Sequence, residues 1–510
     1  MGEVVMLSYA ENHVLESLIY APMLAIVALL LIPGSNKNLI KRIGLVTSAF
    51  LLIASVYAYF SFDHSQSAPT FQLKQGYEWV TQIGINFNLG LDGIGALMVL
   101  LTGIVSMAAA IIATRQENNP KAYFILLFLL IAGVYGTFVA IDLFFLFFFY
   151  ELAVVPMYLL IAIWGSSSKF DTFSRTKEYG AMKLVLMLVA GSVLVWIGII
   201  SIYVYSGAGT FDLISLRAAA HNGGLSTEFQ QIVFPLIVIG FGVLAGLWPF
   251  HTWSPDGHVA APTSVSMLHA GVLMKLGAFG IIRVGLMLLP EGADYWGLAF
   301  FILATINVIY GAISALSQTD LKYVIGYSSV SHMGYVLMGI ATLDPLGITG
   351  ASLQMFSHGI MTALFFAMVG AIYERSHTRD IGILNGLAGR MGWTTAFFVI
   401  AGLTSLGLPG LSGFIAELMV FIGAFRTEPI LGVLGVIGAA ITAVYMLRLI
   451  ARVFFGPPSK EWAKIRDIEF SEGSAAIILT IPILVMGIYP MPFTRVVTPA
   501  VDFLISGLGG

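Results

Sequence analysis

Long uninterrupted runs of apolar residues, separated by short polar stretches, fill most of the chain. A helix needs about 20 such residues to cross a hydrocarbon layer roughly 30 Å thick, so each run predicts a membrane-spanning helix. The runs are continuously apolar rather than alternating, which excludes a membrane β-barrel. The fourteen predicted spans are 14–33, 40–61, 91–113, 121–139, 141–165, 180–206, 228–250, 262–289, 295–315, 322–343, 346–374, 392–424, 429–456 and 473–497.

The composition agrees with a polytopic, all-α membrane protein rather than with soluble domains. Hydrophobic residues make up 58% of the 510 residues and charged residues 10%, against about a quarter charged in soluble proteins. A net charge of −3 does not indicate a nucleic-acid partner. The absence of cysteine excludes disulfides, thiolate metal sites and Cys-ligated iron–sulfur clusters. We expect no strands, no nucleotide or quinone site and, with Glu3 and Glu11 before the first run, no cleaved signal peptide.

The distribution of basic residues predicts the orientation of the chain. Of the 24 Lys and Arg residues, 18 lie in or beside odd-numbered loops and 4 lie in even-numbered loops or at the C-terminal end. Lys275 and Arg283 remain inside predicted spans. Because positive residues concentrate on the cytoplasmic side, we expect the odd-numbered loops there and both termini outside. A miscounted span would have erased this bias, so the bias also supports the number fourteen.

Two spans are interrupted by Pro and Gly. Span 7 runs into Trp248-Pro249, and span 12 contains Gly407-Leu408-Pro409-Gly410. The breaks lie five spans apart and so have opposite orientations, which is typical of inverted repeats with ion sites at broken helices. The alternative is that Pro and Gly merely kink packed helices. We expect helices 1–3 at 1–113, repeats at 121–289 and 295–456, and a connection with helix 14 at 457–510.

Three charged residues lie inside predicted spans with apolar neighbours on both sides: Glu151, Lys275 and Glu417. Such charges cost about 2.5–3.5 kcal/mol at mid-membrane on insertion scales, so they usually mark a proton or ion route. The alternative is a structural ion pair. Because freed backbone groups at a break need partners, we expect Glu417 beside a water-filled exit route rather than in lipid.

Histidines supply further candidates for a proton relay. His332 and His358 fall mid-span, and His269 precedes Lys275 by six residues. Hydroxyl and apolar neighbours suit a hydrogen-bonded wire, although each could equally be a packed histidine.

Other polar residues near span ends have more ordinary interpretations. We expect His251 and His258 to be exposed beside the first break, and Asp92 and Asp142 to cap helices. Arg283 is expected to reach the outer interface in a structural role.

Five motifs together carry a family resemblance. They are Phe-Tyr-Glu-Leu-Ala-Val-Val-Pro-Met-Tyr from Phe149, Trp-Pro-Phe-His-Thr-Trp-Ser-Pro-Asp-Gly-His from Trp248, Ser-Gln-Thr-Asp-Leu-Lys from Ser317, Ser-Ser-Val-Ser-His-Met-Gly from Ser328 and Gly-Leu-Pro-Gly-Leu-Ser-Gly-Phe from Gly407. The chain resembles the antiporter-like subunits of respiratory complex I (NADH:quinone oxidoreductase) from about residue 92 to residue 455. Length and the first motif are most similar to the M-type (subunit 4) chains.

The resemblance implies a proton-pumping module of fourteen helices with two inverted five-helix repeats. It implies no cofactor in this chain, with NADH, flavin, iron–sulfur clusters and quinone on other subunits. The expected partners are the other membrane subunits, including sister antiporter-like chains, in a bacterial cytoplasmic membrane. The family's key residues match Glu151, Lys275, Glu417, His332 and His358.

One position departs from the family. A lysine usually stands in broken helix 7 as partner to the helix 5 glutamate, and here that position is Leu244. A replacement cation for Glu151 must come from elsewhere, and we favour Lys183 because a long lysine in an apolar run can reach inward. It could instead be a snorkelling anchor, and the remaining candidates are His251, His258 and His269.

Two other functions remain open. The related subunit of a multi-subunit sodium/proton antiporter, or of a membrane-bound hydrogenase, shares most motifs; Glu417 and the Phe149 motif favour complex I. A purely structural scaffold is the alternative of another class, and the buried charges argue against it.

Overall fold

The computed structural model describes residues 2–65, 68–169, 174–457 and 460–508. In these residues thirteen helices are long and apolar enough to cross a membrane, and two shorter helices make a further, broken crossing. The crossings are α1 (Gly2–Leu31), α2 (Lys37–Phe60), α3 (Gly93–Ala113), α4 (Pro120–Val139), α5 (Leu143–Trp164), α6 (Lys177–Ser206), α7 (Thr227–Ala260), α8 (Thr263–Leu286), α9 (Pro290–Leu316), α10 (Leu321–Ala341), α11 (Pro345–Ser376), α12 (Gly392–Ser405 and Ser412–Thr427), α13 (Pro429–Phe454) and α14 (Phe470–Ile488).

The predicted helical membrane fold is therefore confirmed, with two main errors of extent. Span 7, predicted at 228–250, continues after its break to Ala260. The predicted last span, 473–497, is two helices: α14 ends at Ile488 and α15 runs from Met491 to Ile505. Pro490 lies between the two helices, and Pro492 lies in the first turn of α15. A proline is tolerated there because the N–H groups of the first turn make no intrahelical hydrogen bond.

The expectation of no strands is wrong. Between α2 and α3, strand β1 (Gln72–Val80) pairs antiparallel with β2 (Ile85–Leu91), and β3 (Ser168–Lys169) pairs with β4 (Ser174–Arg175). The β1–β2 turn closes on Gly84, whose φ of 68° suits glycine. The alternation of apolar and polar residues in Ile85-Asn86-Phe87-Asn88-Leu89 was the available signal for a strand.

Contacts between loops give the chain two distinct faces. Among the odd-numbered loops, Lys37 Nζ lies 3.2 Å from Glu117 Oε2, and Arg115 lies 3.0 Å from Glu374 at the end of α11. Among the even-numbered loops, the Leu143 N–H donates to the Phe211 carbonyl over 2.9 Å. We call the face of the odd-numbered loops the basic side and the other face the opposite side.

The pairing of four aspartates supports the predicted inverted repeat. Asp142, before α5, forms a short antiparallel bridge with Asp212, and Asp320, before α10, forms the same bridge with Asp380. Asp142 and Asp320 each accept from the backbone N–H groups two and three residues on. The two bridges hold equivalent positions in α4–α8 and α9–α13 but lie on opposite sides of the molecule.

The two helix breaks also share one geometry. Gly246 in α7 and Gly407 in α12 have positive φ values of 80° and 67°. In each break the glycine N–H donates to the carbonyl three residues back, and the next N–H, of Leu247 or Leu408, donates to the carbonyl five residues back. This arrangement satisfies the carbonyls freed at a helix end.

These matched bridges and breaks support the repeat, and the division of the chain at 1–113, 121–289, 295–456 and 457–510 stays a prediction. Residues 458 and 459 of the last segment lie outside the described residues.

The most buried helices form the centre of the molecule. α8 and α11 are buried along their apolar length and α3 and α10 nearly so, whereas α2, α6, α13 and α14 keep an exposed face. Polar side chains on α8, α10 and α11 are therefore shielded from lipid.

Candidate functional site

Lys275 occupies the centre of α8 and is completely buried. The helix widens into a π-type turn at His269–Leu273, just before it, a distortion often found at functional sites. The Lys275 ammonium nitrogen contacts the Ala270 carbonyl and lies 2.8 Å from Nδ1 of His358 on α11. The structure thus joins two of the predicted residues by a direct hydrogen bond.

His358 leads on to His332 of α10. Their rings stack at 13° with centroids 5.5 Å apart. The His332 ring is held between two backbone carbonyls, with Nδ1 2.8 Å from Ser328 O and Nε2 3.0 Å from Ser405 O. In the described part of the chain, His358 Nε2 has no hydrogen-bond partner.

Glu417 follows His332 at the break of α12. Its Oε1 atom lies 3.7 Å from His332 Nε2 and accepts from Gln354 Nε2 over 3.3 Å. The side chain is 4% exposed and has polar neighbours, so it does not face lipid. The predicted water-filled exit route beside it stays a prediction.

Lys275, His358, His332 and Glu417 therefore form one buried series, which we call the central row. A neutral imidazole carries one donor and one acceptor nitrogen, so it can accept a proton on one side and release one on the other. The amine and the carboxyl at the two ends can each gain or lose a proton.

The histidines near the break of α7 pack together below the surface. The His258 and His269 rings lie 3.9 Å apart, and Trp253 stacks on His269 at 5.3 Å. The expected exposure of His251 and His258 is wrong, since both are buried. The reason is that the chain resumes as a helix at Trp253–Ala260, and every residue of that helix is buried, so only tertiary packing decides the burial.

The predicted pair between Lys183 and Glu151 is also wrong. Lys183 Nζ lies 2.8 Å from Oδ2 of Asp256, which further binds Arg175 and accepts from the Tyr323 hydroxyl over 3.0 Å. Asp256 lies on the resumed half of α7, a position that the sequence treats as loop. A carboxylate this close satisfies the lysine, so Lys183 does not turn towards α5.

Glu151 stands apart from the central row. It is half-buried on α5, where the Ser192 hydroxyl of α6 interacts with its carboxyl. Among the described residues its Oε1 has no hydrogen-bond partner. Leu244 is completely buried in the hydrophobic core, so the departure from the family at this position leaves an apolar contact in place of a charge.

Arg283 does not reach the outer interface as expected. It is 2% exposed and forms a two-point ion pair with Asp92, with Nη1 2.7 Å from Oδ2. This contact is consistent with a structural role for Arg283. The expected capping role of Asp92 is confirmed, because its carboxylate accepts from the Gly95 N–H at the start of α3 over 2.8 Å.

Sequence reasoning missed Lys322. In the sequence, this lysine counts among the residues in or beside the odd-numbered loops. In the structure it lies at the start of α10, is only 4% exposed and donates to the Ala261 carbonyl over 2.7 Å. Its neighbour Asp320 caps α10, and the first helical turn that follows is buried. Only the fold shows this burial.

Across the residues that the structure describes, no group of three or more His, Asp or Glu side chains is placed to hold a metal ion.

The described part of the chain has fourteen crossings, two oppositely oriented broken helices and a buried row of protonatable side chains. These features define a polytopic membrane protein built for ion translocation. The family described as NADH:quinone oxidoreductase/Mrp antiporter, TM, matches residues 140–442. The chain belongs to this family, which confirms the resemblance inferred from its motifs.

Individual relatives narrow the type within the family. The chain is 35% identical over 502 residues to NADH-quinone oxidoreductase subunit M of Rickettsia bellii, covering 97% of this chain and 99% of that protein. It is 35% identical to NAD(P)H-quinone oxidoreductase chain 4 of Acaryochloris marina, covering 94% and 90%. The M-type (subunit 4) assignment is thereby confirmed.

Solved structures agree on the fold. A chain of respiratory complex I from Thermus thermophilus superposes with a TM-score of 0.87 at 26% identity, covering 98% of this chain and all of that one. A chain of the Mrp complex from Dietzia sp. gives 0.83 at 20% identity, covering 98% and 99%, a likeness of fold alone.

Proposed function

We propose that this chain translocates protons as the M-type membrane subunit of an NADH:quinone oxidoreductase, and that the central row carries them. The observation that supports the proposal is the row itself: four protonatable side chains from α8, α10, α11 and α12 in succession, shielded from lipid. No redox group is needed in the chain for this task, because electron transfer takes place on other subunits, which hold the NADH site, flavin, iron–sulfur clusters and quinone.

The distances within the row set how a proton moves. The 2.8 Å between Lys275 Nζ and His358 Nδ1 allows direct transfer between the two nitrogens. The 3.7 Å between His332 Nε2 and Glu417 Oε1 needs a small side-chain shift or a bridging water. The stacked histidines have no direct ring-to-ring hydrogen bond, so water or ring rotation completes the step between them. We therefore expect the slow step between His358 and His332.

Three further predicted residues belong to the proposal in different roles. Glu151, half-buried near α6, is the acid whose charge biases proton movement in the row. His269 extends the row from Lys275 towards the break of α7. Lys183 keeps Asp256 in place rather than pairing with Glu151.

The charge bias supports one orientation of the chain in its membrane. We propose that the basic side faces the cytoplasm of a bacterium and that both termini lie on the periplasmic side. The partners are the other membrane subunits of the complex, including sister antiporter-like chains.

The test uses the purified complex reconstituted in vesicles, with proton uptake measured per electron transferred to quinone. Lys275→Met and Glu151→Gln should each lower the proton-to-electron ratio while the complex still assembles. Lys464→Met is the matched control, since Lys464 is exposed on the basic side and far from the row in sequence. Unchanged ratios in both variants would remove these residues from the pathway. Purification of a complex without NADH-oxidising subunits would favour the antiporter alternative.

A further inference from the structure

A cavity of about 270 Å³ opens on the basic side between α3, α4, α8 and α11. Its lining includes Arg115, Tyr123, Ser264, Lys322 and Glu374. The volume accommodates several waters, each taking about 30 Å³ in the liquid. Polar lining groups give those waters hydrogen-bond partners, so a wetted cavity reaches the buried Lys322.

Lys322 lines this cavity, and its amine has two acceptors. Its Nζ donates to the Ala261 carbonyl over 2.7 Å and lies 3.4 Å from the Ser266 hydroxyl. An uncharged amine has two N–H donors and one lone pair. Two acceptors therefore use both donors and leave the lone pair available to a cavity water.

The charged groups around Lys322 are already paired with one another. Arg379, after α11, lies 3.1 Å from Asp320, and Arg115 lies 3.0 Å from Glu374 across the cavity mouth. Among the described residues, no carboxylate lies within ion-pair distance of Lys322. The amine is consequently not locked as the ammonium half of a salt bridge. His258, on α7, is close enough for the charge of Lys322 to act on it.

Neighbouring residues connect Lys322 with the central row. Ser266, on α8, lies 3.4 Å from Lys322 Nζ and donates to the backbone carbonyl of His258 over 2.9 Å. That carbonyl carries no proton, so water must complete the steps to and between the histidine rings. The nitrogens of the His258 and His269 rings have no hydrogen-bond partners within the described part of the chain, and the rings lie 3.9 Å apart. Lys275 follows His269 by six residues on α8.

We propose that Lys322 is the residue that takes up protons from the basic side and passes them, through His258 and His269, to Lys275. In each cycle a proton from the aqueous phase on the basic side passes along the cavity waters, which are left as neutral water, and adds to the Lys322 lone pair. The resulting ammonium gives one proton inward and becomes the neutral amine again. This inference rests on the proposed function and adds the entrance that the central row lacks.

Substitutions at Lys322 in the reconstituted complex separate a proton carrier from a structural cation. Lys322→Met should lower the proton-to-electron ratio as far as Lys275→Met does. Lys322→Arg should lower the proton-to-electron ratio to a similar extent, because an arginine in a protein does not release its proton. Lys322→His should restore part of the uptake with an optimum at lower pH, since the ordinary pKa of histidine is about 6.5 against about 10.4 for lysine. Full uptake with Lys322→Arg, or unchanged uptake with Lys322→Met, would overturn the proposal.

The two proposals fail in different ways. If Lys275→Met abolishes uptake and Lys322→Met leaves it unchanged, only the entrance is wrong. If neither variant changes uptake, the central row is wrong as well.

Accessibility provides a second measurement that does not depend on Lys322 variants folding. The chain contains no cysteine, so Ser264→Cys places a single thiol in this chain, on the cavity wall. A charged, membrane-impermeant methanethiosulfonate should modify it from the basic side and lower proton uptake. Ser357→Cys is the matched control, since Ser357 is equally buried and bonds Ser412 beside the far end of the row. Lack of modification of Ser264→Cys, or equal modification of both, would show that no such cavity opens there.

Discussion

At the scale of single residues, the charged groups at the two ends of the central row each have polar partners close by. Lys275 has His358 and the Ala270 carbonyl, and Glu417 has His332 and Gln354. A buried polar group costs about 1–3 kcal/mol when it loses its partner. The sequence identified these residues by their apolar flanks, because charge is costly at membrane depth whatever its partner.

Gly407 shows how closely the row is packed. A β-carbon at this residue would come 2.9 Å from Glu417 Oε2, and the φ of 67° disfavours other residues by roughly 1–2 kcal/mol. We expect Gly407→Ala to lower both the melting temperature of the complex and its proton uptake, because the carboxylate is pushed from His332.

Gly410→Ala is the control for backbone strain. Its φ is 93°, and a β-carbon there meets nothing within 4 Å. The Gly410→Ala variant should lower the melting temperature of the complex without lowering proton uptake per electron. Equal loss of uptake in both variants would show that displacement of Glu417 is not the cause.

At the scale of elements, the broken helices depend on groups brought from elsewhere in the chain. The first half of α12 has no capping side chain at Met391. Asp467, before α14, supplies the cap by accepting from the Trp393 and Thr394 N–H groups over 2.7 and 3.1 Å. Partial burial alone would raise the pKa of Asp467, but hydrogen bonds from Thr394 and nearby N–H groups outweigh it and lower the pKa below its ordinary value.

We expect Asp467→Ala to destabilise α12 by about 1 kcal/mol, the usual value of a lost cap. Hydrogen exchange at the Trp393 and Thr394 amides measures this locally, and Asp467→Asn, which keeps an acceptor oxygen, should retain most of the protection. Because the folded-state pKa is lowered, the stabilisation is present above the unfolded pKa of about 3.9 and is lost as the pH falls through the folded value. Protection that is the same in the alanine variant would contradict the capping role.

At the scale of the whole molecule, one buried ion pair joins the N-terminal helices to the rest. Asp92 begins α3 and Arg283 ends α8, so the pair fixes the relative depth of two central helices. Removing one partner of a buried pair costs about 3–5 kcal/mol, whereas removing both costs less.

We expect Arg283→Leu to lower the melting temperature of the complex strongly and the double variant Arg283→Leu with Asp92→Asn to recover much of it. The side-chain amide introduced by Asp92→Asn keeps an acceptor oxygen for the Gly95 N–H, so the α3 cap survives. Thermal unfolding of the purified complex provides the measurement. Equal melting temperatures for the single and double variants would mean that the buried, unpaired carboxylate is not what destabilises the fold.

Orientation is a property of the whole chain and is tested by labelling. Lys464 is exposed on the basic side, and Glu78 is exposed on β1 of the opposite side. On intact cells, an impermeant maleimide should label Glu78→Cys but spare Lys464→Cys until the membrane is opened. The reverse pattern would mean that the odd-numbered loops face outward.

The sequence alone determined the number of spans and the two breaks, and its seven candidate site residues included the four of the central row. These features follow from local rules: apolar length must match the membrane, Pro and Gly interrupt helices, and charge is costly at depth. The sequence also indicated the family, because each of the five motifs is an uninterrupted stretch of the chain.

Only the tertiary structure decided which charges meet. Lys183 joins Asp256 instead of Glu151, and Lys322 and His258 lie buried although their positions in the sequence resemble loops. The reason is geometric: a salt bridge or hydrogen bond forms within a few ångströms, and the helices that approach so closely are selected by packing across the whole bundle. Residues far apart in the chain, such as Lys275 and His358, acquire their chemistry only when that packing brings them together.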